Sequence, residues 1–449
     1  MTPRGPRHEC ALSLSRLLAD QLESKPPVVA ESFLSLPLVM AHRASIAVAL
    51  VLAAVLAAVL AAAEAKVVSK LRGNANPVLA CYVGTWANYR QGNGAFKIED
   101  VDAKLCTHLL YAFVGITEDG DVKSLDPWLD LPSGLNGFQR FVDLKKVNPA
   151  AKVLVSIGGW NEGSAKYSQV ANSPKLRETF AKNAVKFVQQ YGFDGMDLDW
   201  EYPGLRGGAA SDKAALVELL KVMHAKFSAN GLLLTAAVSV GQDKLDASYD
   251  VPGLMKYLDL VFLMTYDLRA SWDGKTGMNA ATRAGPGETD TLNVISSVKL
   301  WLSRGGVASK LVLGLPLYGH SFTLADASNS TVGAPTSGPG TAGPYTKEAG
   351  TLSYLEICEM QKDGQFPEKW DQAREVPYAV QGNQWISYDN VRSIKIKVRQ
   401  VVKQYGLAGA MAWSLESDDF KNYCPQSGGA YPLLRAAFRS MFQDDGTGQ

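Results

Sequence analysis

The 449-residue chain has no surplus of charge of either sign: 45 Lys and Arg stand against 44 Asp and Glu, a formal net charge of +1. That balance removes the electrostatic case for a nucleic-acid partner or for binding to a charged membrane surface. Cysteine is scarce, with five residues, and none falls in a CxxC or Cys/His spacing, so no zinc site is indicated. What remains is ordinary globular material, 47% hydrophobic and 20% charged, enough for a sizeable core. Length alone admits two or three common domains or one large barrel.

One long apolar run is present, from Ser45 to Ala63, preceded by His42 and Arg43 and followed by Ala63-Glu64-Ala65. A basic start, an apolar stretch and a small-x-small site make a secretory signal over residues 40–65, with cleavage expected after Ala65. The alternative is a membrane anchor, since about 18 apolar residues can span a bilayer. Much of the run is alanine, which argues against it, and no stable membrane association is expected after cleavage. Residues 1–39 are mixed in character and ill suited to opening a signal peptide. Met40 suits that start, so translation is expected to begin there. Of the cysteines, Cys10 lies in the leader. Cys81, Cys106, Cys358 and Cys424 remain, an even set that permits three pairings. Cys81–Cys106 and Cys358–Cys424 is the favoured one, by their placement near successive strands and after late excursions. Asn329-Ser330-Thr331 is a glycan acceptor pattern in a Gly/Ser/Pro-rich loop.

Beyond residue 75, short apolar strands alternate with helical stretches. Candidate strands are 78–83, 108–116, 152–160, 193–202, 232–240, 258–267, 310–318 and 407–415; helices are expected over 172–191, 211–230, 289–304, 389–405 and 431–442. Eight near-continuous apolar strands read as parallel strands covered by helices. The fold class is α/β, a (β/α)8 TIM barrel over 75–318 and 389–442, ahead of a short polar tail at 443–449. About 70 residues, 319–388, intervene before the next helix and are rich in Gly, Pro, Thr and Tyr. They read as a small α+β insertion after the seventh strand. Loops at that end of a barrel build its active site, so the insertion should wall a cleft.

The fourth strand carries Phe193-Asp-Gly-Met-Asp-Leu-Asp-Trp-Glu-Tyr. Alternate residues of a strand share a face, so Asp197, Asp199 and Glu201 point one way, about 7 Å apart in sequence order at roughly 3.3 Å per residue. Crowded, buried carboxyls repel and are costly to charge. At least one should keep its proton near neutral pH, as an acid that protonates a departing sugar oxygen must. A solvated edge strand fits poorly with the apolar opposite face. A hard-cation site is the other alternative, but no further Asp or His cluster lies near the motif.

Asp194-Gly-Met-Asp-Leu-Asp-Trp-Glu201 resembles the signature of family 18 glycoside hydrolases, the animal-type secreted chitinases. The likeness spans about residues 78–442 through Cys81-Tyr-Val-Gly-Thr-Trp86, Tyr111-Ala-Phe113, Ser156-Ile-Gly-Gly-Trp160, Met264-Thr-Tyr266-Asp267 and Gly409-Ala-Met-Ala-Trp413. It implies an enzyme that cleaves chitin or chito-oligosaccharides with retention; an endo-acting monomer without cofactor or metal is the accompanying expectation. In that scheme Glu201 is the acid and the sugar's own acetamido group the nucleophile. Asp199 would hold the acetamido N–H, Asp197 would share a proton or hydrogen bond with Asp199, and Tyr266 would position the acetamido carbonyl. Trp413 would floor the cleft, Trp86, Trp160 and Trp272 would extend it, and Tyr82, Phe113, Tyr202, Met264 and Asp267 would line it. For Phe113 and Met264 a core role competes. Trp301 and Trp385 are assigned to structure. The chain departs from many relatives at Arg269-Ala270, where His-Gly is common, and at His320, where Arg is common. His320 could bear on the pH profile if it lines the cleft; a loop histidine without a role is the alternative. A non-hydrolysing chitin-binding lectin of the same fold and a hydrolase of the N-glycan chitobiose core are the competing functions.

Overall fold

Strands apolar on both faces stay dry only if neighbours fill one side and helices cover the other. The computed structural model, which describes residues 77–289, 291–362, 364–424 and 428–443, solves that problem as a closed barrel. Its strands are β1 (Val78–Gly84), β2 (His108–Ile116), β3 (Lys152–Gly158), β4 (Gly195–Asp199), β5 (Leu233–Ser239), β6 (Leu260–Met264), β7 (Leu311–Pro316) and β8 (Gly409–Trp413). Each pairs in parallel with the next, and β8 pairs with β1 to close the ring. This is the expected (β/α)8 barrel. The expected leader 1–39, the signal at 40–65 with its cleavage after Ala65, Cys10 and residues 444–449 of the tail lie outside the described residues. Among the described residues no helix is long and apolar enough to cross a membrane.

The outer helices include α1 (Pro174–Tyr191), α2 (Asp212–Ala229), α3 (Val294–Ser303), α4 (Val391–Lys397) and α5 (Pro432–Phe442). Their ends follow local chemistry more closely than periodicity allows. A separate helix covers Ala165–Asn172, and α1 begins afresh because Pro174 takes its first position and the Ser173 hydroxyl caps Leu176 N at 3.3 Å. The helix expected from residue 289 starts at 294, where Asn293 Oδ1 accepts from Ser296 N at 2.9 Å. The helix expected to reach 405 widens from α4 into a π turn at Val398–Lys403.

Two residues after β7 the chain leaves the barrel. Strand Tyr318–Leu324 pairs antiparallel with Thr336–Pro339, Thr351–Ser353 and Gln384–Ser387, and Val376–Gln381 and Glu368–Asp371 continue the six-stranded sheet. Phe322 and Trp385 anchor a small core there with Met278 and Ala334. Trp385 and Trp301 are fully buried, their indole N–H groups donating to the Ser330 and Ser239 carbonyls, each at 3.2 Å.

Cys81 is bonded to Cys106, and Cys358 to Cys424. The second bridge spans 66 residues and joins the sheet's helix Tyr354–Lys362 to the segment after β8. Closing so long a loop removes much freedom from the unfolded chain. Replacing Cys358 and Cys424 together by Ala is expected to cost about 2–4 kcal/mol, read as a lowered midpoint in denaturant unfolding; an unchanged midpoint would refute it.

Candidate active site

The register of β3, β4 and β5 sets Ser156, Asp197 and Thr235 at one level inside the barrel. All are polar residues in otherwise apolar strands, and they meet. Asp197 Oδ2 accepts from the Ser156 hydroxyl at 2.8 Å and from the Tyr82 hydroxyl at 2.7 Å, while Oδ1 accepts from Thr235 at 2.7 Å. Burial pushes the Asp197 carboxyl above its ordinary range, and the three hydroxyls pull back. The hydrogen bonds of Asp197 thus come from hydroxyls, where the resemblance pointed to Asp199.

Asp199 follows on the same face, only 4% exposed, and its Oδ1 is buried without a hydrogen-bond partner. An orphaned buried acceptor is destabilising, so this atom is set to meet a donor that the chain does not supply. Burial, then the neighbouring Glu201 and Asp197 charges, hold the Asp199 carboxyl well above the usual carboxylate range. The strand ends at Asp199, not at residue 202 as expected. Glu201 therefore stands just past the strand, 9% exposed. Burial raises its pKa and the Asp267 charge adds to that; a Tyr202 hydrogen bond and the Arg206 and Lys244 charges oppose.

Above these carboxyls lie two adjoining hollows of about 530 and 880 Å³, sharing Phe113, Trp160, Asp267, Trp272 and Trp413. Asp199, Glu201, Tyr82, Tyr202, Met264 and Tyr266 line the first, and Trp86 the second. Asp197 lies beneath, fully buried. Trp413 stacks near Phe113 (5.8 Å, 30°) and meets Tyr82 edge-on at 5.4 Å. Trp86, Trp160 and Trp272 are 44, 57 and 68% exposed. Indoles that open cannot be holding the core together; they offer flat faces to a ligand. Among the described residues the Tyr266 hydroxyl reaches only a weak acceptor, Met411 Sδ at 3.8 Å, and so keeps a proton to donate.

On the wall, Asp267 accepts from the Tyr318 hydroxyl and lies 2.7 Å from His320 Nε2, while His320 Nδ1 faces the Gly350 carbonyl at 3.1 Å. Both imidazole nitrogens confront acceptors, an arrangement that favours the doubly protonated ring. Burial alone would lower the His320 pKa and raise that of Asp267. Their mutual attraction reverses both, leaving His320 high and Asp267 low. His320 is thus a buried strand residue tied to the cleft wall.

Residues 78–418 match the family model for glycosyl hydrolases family 18. The chain belongs to that family. An endochitinase of Manduca sexta is 38% identical over 390 residues, 84% of this chain and 69% of that protein. The crystal structure of the Ostrinia furnacalis Group IV chitinase in complex with allosamidin is 42% identical, covering 81% of this chain and 98% of that one with a TM-score of 0.78. Human YKL-39, described as a pseudo-chitinase with retained chitooligosaccharide binding properties, is 38% identical with a TM-score of 0.75, over 81% of this chain and 99% of that one.

The family 18 motifs account for the carboxyls and aromatics, yet several residues of the site carried no signal in them. Thr235 was legible only as a polar exception in an apolar strand, and Ser156, although it heads a motif, gave no sign there that it holds Asp197. Arg206 sits in the loop after β4 and Lys244 in the short helix Gln242–Ser248 after β5, where spacing says nothing about direction. Glu416, buried behind Trp413, accepts from Gly84 N at 3.0 Å and from the Ser414 hydroxyl. A Cβ on Gly84 would lie 2.3 Å from its Oε1 and 2.6 Å from the Trp86 ring, which explains the glycine there. Among the described residues one trio could hold a metal ion, Cys358, Asp419 and Cys424, and its two sulfurs are bonded to each other. Asn329 is exposed, with Oδ1 accepting from the Thr331 hydroxyl at 2.8 Å.

Proposed function

We propose that the chain is a secreted, endo-acting chitinase that hydrolyses β-1,4 linkages between N-acetylglucosamine units with retention of configuration. The observation that carries this reading is the unpartnered Asp199 Oδ1 beside Glu201, whose carboxyl burial pushes above its ordinary range, at the floor of an aromatic cleft. A sugar bearing a 2-acetamido group would bring the missing donor, its N–H. Glu201 then gives its proton to the glycosidic oxygen as the C1–O bond breaks. The acetamido carbonyl oxygen, oriented by the Tyr266 hydroxyl, attacks C1 and closes an oxazolinium ring. Asp199 offsets the positive charge, and Asp197, fixed by three hydroxyls, sits below it. Water adds at C1, its proton passes to the Glu201 carboxylate, and the ring reopens. No cofactor or metal enters this scheme.

Substrate class follows from the same geometry: stacking faces at Trp86, Trp160, Trp272 and Trp413 suit the flat C–H faces of a linear polymer. The Ostrinia chitinase that binds allosamidin supports this choice of ligand. Two disulfides suit an oxidising compartment and support export, with a glycan at the exposed Asn329.

Incubating the purified protein with chitohexaose and resolving products by chromatography tests the reading; a protein that binds the hexamer and releases nothing belongs with the binding relatives instead. Trp413→Ala should weaken hexamer affinity roughly 30-fold, about 2 kcal/mol, by calorimetry. Unaltered affinity would remove Trp413 from the floor.

A further inference from the structure

Arg206 belongs to no motif, yet its position is specific. The guanidinium carbon lies 3.5 Å from the centre of the Trp160 ring, and Nη1 donates to the Glu201 carbonyl oxygen at 2.8 Å. One planar group therefore joins the loop after β3, which carries Trp160, to the loop after β4, which carries Glu201. Its backbone is in the left-handed region at φ 53°, between Gly204 at 77° and Gly207 at 89°. Side chains disfavour that region and glycine does not. The loop carries arginine at a position where backbone sterics favour glycine, so the side chain must do something there.

We infer that Arg206 is a positioning residue for sugar binding: its stacked guanidinium fixes the Trp160 indole at the rim of the cleft and ties it to the Glu201 loop. The inference rests on the chitin-cleaving reading. Among the described residues no other aromatic ring packs on Trp160, which follows two left-handed glycines, Gly158 and Gly159, and is more than half exposed. An indole so placed would have to be ordered by the sugar at a cost in affinity. Stacking on one face orders it beforehand and leaves the other face open.

A second consequence concerns the proton of Glu201. Facing that carboxyl are Asp199 from β4, Tyr202 and Arg206 from its own loop, Lys244 and Tyr249 after β5, and Tyr266 and Asp267 after β6, with His320 paired to Asp267. Arg206 and Lys244 are the cations that favour ionised Glu201. Without Arg206, Glu201 keeps its proton to higher pH, and the alkaline limb of the rate profile moves up.

Two variants separate the two effects. Binding of chitohexaose is measured by calorimetry in a Glu201→Gln background, and kcat and KM are followed against pH with Glu201 intact. Arg206→Ala should bind about fivefold more weakly, raise KM by the same factor with kcat within about twofold at the optimum, and shift the alkaline limb upward. Arg206→Lys, which keeps the charge but lacks a planar face, should bind as weakly as Ala while keeping the wild-type limb. Unchanged binding in Arg206→Ala, or full recovery of binding in Arg206→Lys, overturns the inference. If the wild type cleaves nothing while Arg206→Ala still weakens binding, the chitinase reading fails and the positioning role stands.

Discussion

Glu201→Gln is expected to abolish nearly all turnover of chitohexaose, lowering kcat by about 10⁴-fold, the upper end of what a positioned general acid supplies. The residue acts twice, giving a proton to the leaving oxygen and later taking one from water, and an amide does neither. Burial, with Asp267 nearby, already favours the neutral acid, and Gln has the same shape and charge as that form. Hexamer binding should therefore stay within about twofold of wild type by calorimetry, since the contacts made by the neutral side chain persist. A variant that cleaves as fast as wild type would end the proposed mechanism. One that neither binds nor cleaves would show instead that Glu201 holds the cleft together.

Asp199→Asn should slow turnover by about 10²–10³-fold, the range seen when a preorganised electrostatic group is removed from a transition state. The lost group is the carboxyl that ionises to face the oxazolinium ion as it forms, which an amide cannot do, so kcat should fall with little change in KM. The same substitution should stabilise the fold. The Asp199 carboxyl has its folded pKa raised by burial and by the Glu201 and Asp197 charges, so the folded state holds a proton where the unfolded chain has released it. Stability then falls as pH rises above the unfolded value of about 3.9. Removing the carboxylate removes that slope. Melting temperatures of variant and wild type should coincide near pH 3 and diverge toward neutrality, with the variant higher by about 2–4 °C at pH 7. A melting temperature at pH 7 equal to or below that of wild type would show that the buried carboxyl is not the liability argued here.

The fold was unusually legible because eight strands buried on both faces leave continuous apolar runs, and those runs appear as β1 to β8 with ends shifted by only a few residues. Ends are set by single capping contacts, such as Ser173 on Leu176 N, which periodicity does not register. The site was legible where chemistry is concentrated in one strand. It was not legible at Arg206, Lys244 or Glu416, which stand in a loop and in short helical turns beyond the strand ends, where no local pattern encodes direction.

By itself the sequence determined the barrel, the close succession of carboxyls at the end of one strand and the family resemblance, because continuous apolar runs and a contiguous motif are properties of neighbours along the chain. Only the tertiary structure decided what each carboxyl meets. Asp197 is satisfied by hydroxyls from β1, β3 and β5, and Asp199 is left with an empty acceptor, because hydrogen bonds and burial depend on residues tens to hundreds of positions away that only barrel closure brings together.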